Sequence, residues 1–187
     1  MIATDVSGPP LGPARTSNQP APAQAALFAP VAPLDTAARG ATSALARAMR
    51  LSSTPGVKRI IHQSDWILGQ FCGRFDVSDE NSALKTGYDP VKREWPAWIA
   101  RTGFDPALLP AVQPAGTPVV RLDKAQAMLW GLDEGCLVVA GTTDGCAAFL
   151  ATGADRPGEG VTSLGTTLVL KLLSETPLSA PQYGLYS

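Results

Sequence analysis

The sequence predicts an α/β fold built around a mixed sheet. Three observations carry this. "CLVVAG", Cys136–Gly141, is a continuous, β-branched run of the kind found in a buried parallel or mixed-sheet strand. It runs through a short turn into "DGCAAFLATGA", a helix-forming string of small residues. Further on, "EGVTSLGTTLVLKLLS" reads as two strands joined at Leu164–Thr166.

The elements follow in chain order. Residues 1–35 are rich in Pro and Ala, and their prolines leave no window for a long helix. This segment is expected to be loop and poorly ordered, with room for one short strand and one helical turn in "APAQAALFAPVAP". Residues 36–187 are expected to form the folded part. "DTAARGATSALARAMRL" predicts a helix starting at Asp35 or Thr36, with Gly40 its weak point. In "STPGVKRIIHQSDWILGQFCGRF", Ser53 or Thr54 before Pro55 suits a helix start. Ile60, Ile67, Leu68 and Phe71 share one helical face, and Gly73 suits a C-terminal cap.

"DVSDENSALKTGYDP" reads as a turn-rich connector, in which Asp79 and Asn81 organise a turn. His62 and Asp65, one helical turn apart, read as structural. Trp95, Trp98 and Ile99 read as packing residues in a short amphipathic region broken by Pro96. A Pro-punctuated loop with a strand at its end comes next, then a short helix in "DKAQAMLWGL".

Composition narrows the function. Of the 187 residues, 45% are hydrophobic and 17% charged, enough apolar surface for a core. Net charge is −1 and no basic cluster occurs, which argues against nucleic-acid binding. No apolar run approaches the roughly 18 residues that a membrane helix needs. The first residues lack the apolar core of a secretory signal; one early arginine, Arg15, and abundant proline give little support to a transit peptide. Three widely spaced cysteines, Cys72, Cys136 and Cys146, with the single His62, make no metal-ligand set. Unpaired buried thiols fit a reducing, cytoplasmic setting, or the chloroplast for a plant or algal chain.

Two stretches can carry chemistry. Asp144 stands at the start of a helix after a strand and the tight turn at Gly141. It is either a helix N-cap or a general base at the carboxyl edge of a sheet, where open α/β folds bind ligands; the two are compatible. "TSLGTT", Thr162–Thr167, is either an ordinary hairpin or a glycine-centred cradle for phosphate oxygens, built from backbone amides and threonine hydroxyls.

These stretches lie about twenty residues apart and in that order. With "HQSDWILGQFCGRFDVSDENSALKTGYDP", "LVVAGTTDGCAAFLATGA" and "VTSLGTTLVLKLLSE", the chain resembles the FGGY family of carbohydrate kinases, in particular its pentulose kinases of the D-ribulokinase and xylulokinase type. "SGPPLGPARTSNQP" is similar to an earlier segment of the same domain. The resemblance implies part of an actin-like ATPase (ribonuclease H-like) domain with inserted helices. It implies ATP and Mg²⁺ as cofactors and a sugar, a ketopentose such as ribulose or xylulose, as substrate. It implies that Asp144 is the catalytic base taking the proton of the sugar hydroxyl, and that Gly165 and Thr166, with Thr167 beside them, contact the nucleotide phosphates. No metal-ligating residue is implied.

The chain also departs from the family. Members are more than twice as long, have two actin-like domains and begin with an Asp-x-Gly-Thr phosphate motif that is not found here. The expectation is therefore an internal or truncated piece with little or no kinase activity on its own. The alternatives are a non-catalytic remnant or partner-binding fragment and, against the segment around Asp65, another actin-like protein such as a chaperone ATPase.

Overall fold

A computed structural model describes residues 1–165, 168–180, 183 and 185. Strands and helices are interspersed along the chain, an α/β arrangement. In order, the elements are β1 (Ile2–Thr4), α1 (Pro22–Phe28), α2 (Ala44–Leu51), β2 (Arg59–Ile61), α3 (Gln63–Cys72), β3 (Val77–Asp79) and α4 (Glu80–Leu84). After two short 3₁₀ turns come β4 (Ala111–Gln113), β5 (Pro118–Arg121), α5 (Lys124–Trp130), β6 (Leu137–Val139), α6 (Asp144–Leu150), β7 (Gly160–Leu164) and β8 (Leu168–Leu172).

The expected mixed sheet is not continuous. Among the described residues the strands form four two-stranded ladders. Three are antiparallel: β1 with β2, β5 with β6, and β7 with β8. One, β3 with β4, is parallel and needs the long crossover through α4 and the 3₁₀ turns. Strands of three to five residues expose few backbone groups, so each ladder ends after a few bonds and leaves its outer edges open.

The first 35 residues hold one short strand, β1, and one short helix, α1. β1 pairs in register with β2, Ile2 opposite Ile61. Pro22 opens α1 at a position where a missing N–H costs nothing. Met1, Ala3, Ala21, Phe28 and Ala32 join the same apolar cluster as Leu45, Ile60, Trp98 and Ile99, so the segment shares its core with the rest of the chain. Proline sets loop boundaries here without preventing burial of the apolar residues between them.

Three further expectations change. The helix predicted from Asp35 or Thr36 begins only at Ala44. Gly40 adopts φ +98°, outside helical space, and the Ser43 side chain caps the new start by accepting the N–H of Ala46 at 3.0 Å. Pro55 opens no helix. Ile60 lies in β2, and α3 starts after it with His62 as its cap residue. The supposed connector "VSDENSAL" is β3 followed by α4, with the Asp79 carboxylate accepting the N–H of Ser82 at 2.8 Å. The C-terminal cap at Gly73 stands as expected, in the left-handed region at φ +70°.

A smaller apolar group holds α3 to the N-terminal strand. Ile2, Ile61 and Phe75 pack together with Trp66 against them. The indole N–H of Trp66 donates to the carbonyl of Gly8 at 3.0 Å. Trp98 and Ile99 are buried and Trp95 packs against them, in keeping with their reading as core.

Candidate active site

β6 spans only Leu137–Val139 and is half-exposed rather than buried, because β5 is its sole ladder partner among the described residues. Ala140 ends its pairing: its N–H donates to Thr117 and its carbonyl accepts from Gly116, both at 2.8 Å. Gly141, Thr142 and Thr143 then make the turn into α6. The side chain of Thr143, not Asp144, caps that helix, its Oγ1 accepting the N–H of Cys146 at 3.3 Å. Asp144 is the first helical residue, and one of its carboxylate oxygens accepts the N–H of Gly145 at 2.7 Å. Its side chain is exposed, so a ligand can reach it.

Lys171 comes from β8 and lies beside this start of α6. A Cβ added at Gly145 would sit 2.7 Å from Lys171 Nζ. Glycine is what permits that approach. No ion pair or hydrogen bond of the Lys171 ammonium is found among the described residues. The hairpin β7–β8 thus meets the residue next to Asp144. Gly165 follows directly on the last residue of β7, at the exposed end of that hairpin. Thr166 and Thr167, the other expected phosphate contacts, lie outside the described residues. No hydrogen bond joins Asp144 to Gly165 among the described residues; Lys171 is the residue that links their elements.

A cleft of about 480 Å³ opens on the other side of the turn. α3 contributes Gln63, Ser64, Asp65 and Phe71, the end of β3 contributes Ser78 and Asp79, and Val138, Val139 and Gly141 form the facing wall. Its polar wall is held by a tight network. Asp65 is only 2% exposed; one of its oxygens accepts both the backbone N–H and Nδ1–H of His62, each at 2.8 Å. His62 Nδ1 also lies 3.1 Å from Ser78 Oγ, and its Nε2 lies 2.9 Å from Thr86 Oγ1. His62 and Asp65 therefore serve structure, joining the start of α3 to β3 and α4.

Sequence reasoning did not find two contacts here. The amide of Asn81, on the first turn of α4, donates to Thr142 Oγ1 at 2.8 Å across 61 residues of chain. Lys171 read only as a strand residue. No local pattern signals either contact, because each depends on how distant elements pack.

The thiols of Cys72, Cys136 and Cys146 are all free. Burial pushes the Cys72 thiol above its ordinary value. The Arg74 guanidinium, bonded to the carboxylate of Asp76 at 3.2 Å and 3.3 Å, holds that carboxyl below the usual range. Among the described residues, no group of three or more His, Cys, Asp or Glu side chains is arranged to hold a metal ion, and no helix is long and apolar enough to cross a membrane.

No protein-family model matches the chain. It is 32% identical over 104 residues to the autoinducer-2 kinase of Enterobacter sp. (strain 638), covering 55% of this chain and 20% of that protein. It is 32% identical over 122 residues to the xylulose kinase of Haemophilus influenzae, covering 60% of this chain and 23% of that one. The chain thus spans about a fifth of the length of the curated relatives it matches. Its fold is similar to that of the xylulose kinase from Rhodospirillum rubrum, with a TM-score of 0.83 at 23% identity over 96% of this chain and 40% of that one. In sequence and in fold the chain is thus similar to part of a sugar kinase, as the resemblance to the FGGY carbohydrate kinases leads one to expect.

Proposed function

We propose that the chain carries the acceptor-activating part of an ATP-dependent sugar kinase, whose acceptor is a ketopentose such as ribulose or xylulose. The observation that supports this most is the exposed Asp144 carboxylate at the start of α6, with the Lys171 ammonium, unpartnered among the described residues, beside its neighbour Gly145. The relatives, an autoinducer-2 kinase and a xylulose kinase, are both kinases, which agrees with phosphoryl transfer to a sugar such as xylulose. The finer fold reading, an actin-like and ribonuclease H-like ATPase domain, and a cytoplasmic or chloroplast location belong to the same proposal.

The chemistry follows from the groups present. A sugar hydroxyl is a weak nucleophile at neutral pH. Asp144 accepts its proton as the oxygen attacks phosphorus, a contribution of about 10²- to 10⁴-fold. Negative charge on the transferred group calls for fixed donors and cations around it. Lys171 supplies a cation on β8, and Gly165 leaves its backbone open to phosphate oxygens; Thr166 and Thr167 complete that set in the sequence reading. ATP supplies the phosphoryl group when bound, with Mg²⁺ carried on its phosphates.

The test uses purified chain at single-turnover concentrations with ATP, Mg²⁺ and a panel of ketopentoses. The expected product is a sugar phosphate, formed slowly by the wild type and lost in Asp144→Asn. Sugar phosphate formed equally fast by Asp144→Asn would remove the base from this reading.

A further inference from the structure

We propose that Asn81 is a positioning residue: by donating from its side-chain amide to Thr142 Oγ1 it fixes the turn that presents Asp144. The inference rests on the reading of Asp144 as the base. Its geometric part stands on separate observations.

The turn has little else to hold it. β6 stops pairing at Ala140, and α6 begins at Asp144. A Cβ placed on Gly141 would meet no atom within 4 Å, so the turn is open on that side. The Thr143 side chain bonds only forward, into α6 itself. Among the described residues, the 2.8 Å bond from Asn81 is the one hydrogen bond tying residues 141–143 to an element other than β6 and α6. A helix start on so short a tether moves with the turn before it.

Asn81, by contrast, is well anchored. It lies on the first turn of α4, whose cap Asp79 is 2% exposed and accepts the Ser82 N–H at 2.8 Å. Asp79 also ends β3, in parallel register with Gln113 of β4. Ser82 Oγ lies 3.3 Å from Ser64 Oγ at the start of α3, and Ser78 lies 3.1 Å from the His62 ring. The amide thus ties the hydrogen-bonded α3–β3–α4 network to a turn with few hydrogen bonds of its own. The same network forms the polar wall of the cleft whose facing wall ends at Gly141. The bond therefore runs from the network behind one wall to the turn at the end of the other, directly before the start of α6.

Cys146, two residues beyond Asp144 in α6 and partly exposed, reports on this region without requiring turnover. The experiment compares wild type, Asn81→Ala, Thr142→Val and Thr142→Ser by iodoacetamide labelling read by mass spectrometry and by amide exchange of residues 141–146. Asn81→Ala and Thr142→Val are expected to raise Cys146 labelling and local exchange roughly fivefold, the factor that goes with loss of one ordinary hydrogen bond. Thr142→Ser, which keeps the hydroxyl, is expected to restore wild-type rates, and Cys72 and Cys136 serve as internal controls. Wild-type protection in Asn81→Ala, or an equal rise at all three cysteines, would overturn the inference. Failure of Asp144→Asn to slow sugar phosphorylation would instead remove Asp144 as the base and leave these rates unchanged, so the two failures are distinguishable.

Discussion

The carboxylate of Asp65 closes a reciprocal cap with His62, accepting its backbone N–H and its Nδ1–H at 2.8 Å each while being 2% exposed. Two donors converge on one buried oxygen. Asp65→Ala removes the acceptor and leaves the His62 N–H without its partner at the mouth of α3. The cost of losing a cap is about 1 kcal/mol, and a buried unpaired donor adds about 1–3 kcal/mol. Asp65→Ala is expected to destabilise the chain by about 2–4 kcal/mol in urea unfolding. A loss below about 0.5 kcal/mol would mean that water replaces the carboxylate at no cost.

That cap shows what could be read from the sequence and what could not. His62 and Asp65 one turn apart, Gly73 at the end of α3, the short helix at Lys124–Trp130 and the hairpin β7–β8 are local features, set by spacing and by single cap residues. β1 and β2 are not local. Three residues have no visible period, and their pairing joins Ile2 to Ile61. Ile60 stands seven residues before Ile67, which imitates a helical face although Ile60 belongs to a strand. At the candidate site, the strand–turn–helix setting of Asp144 was legible, with the cap role misplaced by one residue. The bond from Asn81 to Thr142 was not, because side-chain pairing across 61 residues leaves no trace in spacing.

Phe75 is wedged between two glycines. A Cβ on Gly69 or on Gly8 would overlap its ring. Gly69 lies inside α3, where alanine is intrinsically better by about 1 kcal/mol. Phe75 is buried against Ile2 and Ile61, with Gly8 also close to its ring, so a shift away from Gly69 meets other groups. Overpacking of about 1–3 kcal/mol is therefore expected to win. Gly69→Ala should lower the melting temperature by a few degrees. A rise would show that the ring yields more easily than its surroundings allow.

The Arg74–Asp76 pair makes a pH prediction. The Asp76 carboxyl lies below its ordinary value of 3.8, first because of the Arg74 hydrogen bonds. The ionised form is thus favoured in the folded state, and the unfolded state binds the proton more readily. The pair's contribution is present above pH 3.8 and is lost as pH falls through the lower folded value. Both side chains are over 40% exposed, so the effect is small and weakens in salt. Between pH 5 and pH 3, wild type is expected to lose more stability than Arg74→Gln. Parallel acid profiles for the two proteins would show that the pair contributes nothing.

Gly145 gives the reverse case to Gly69. A Cβ there would meet only Lys171 Nζ and, at 3.7 Å, Lys171 Cε. These are the far end of a flexible four-carbon side chain with no partner holding it among the described residues. The ammonium can swing away at almost no cost, whereas the alanine gains helix propensity of up to about 1 kcal/mol, less near a helix start. Gly145→Ala is therefore expected to leave stability unchanged or to raise the melting temperature by about 1–3 °C. If Lys171 stands where a transferred phosphoryl group would be met, the same change should slow sugar phosphorylation at least tenfold, because it moves the cation and puts a methyl in its place. Stability and turnover should then part in opposite directions. A variant that loses both would show that Lys171 is held at Gly145 by the fold, and one that keeps both would show that its position there has no part in the chemistry.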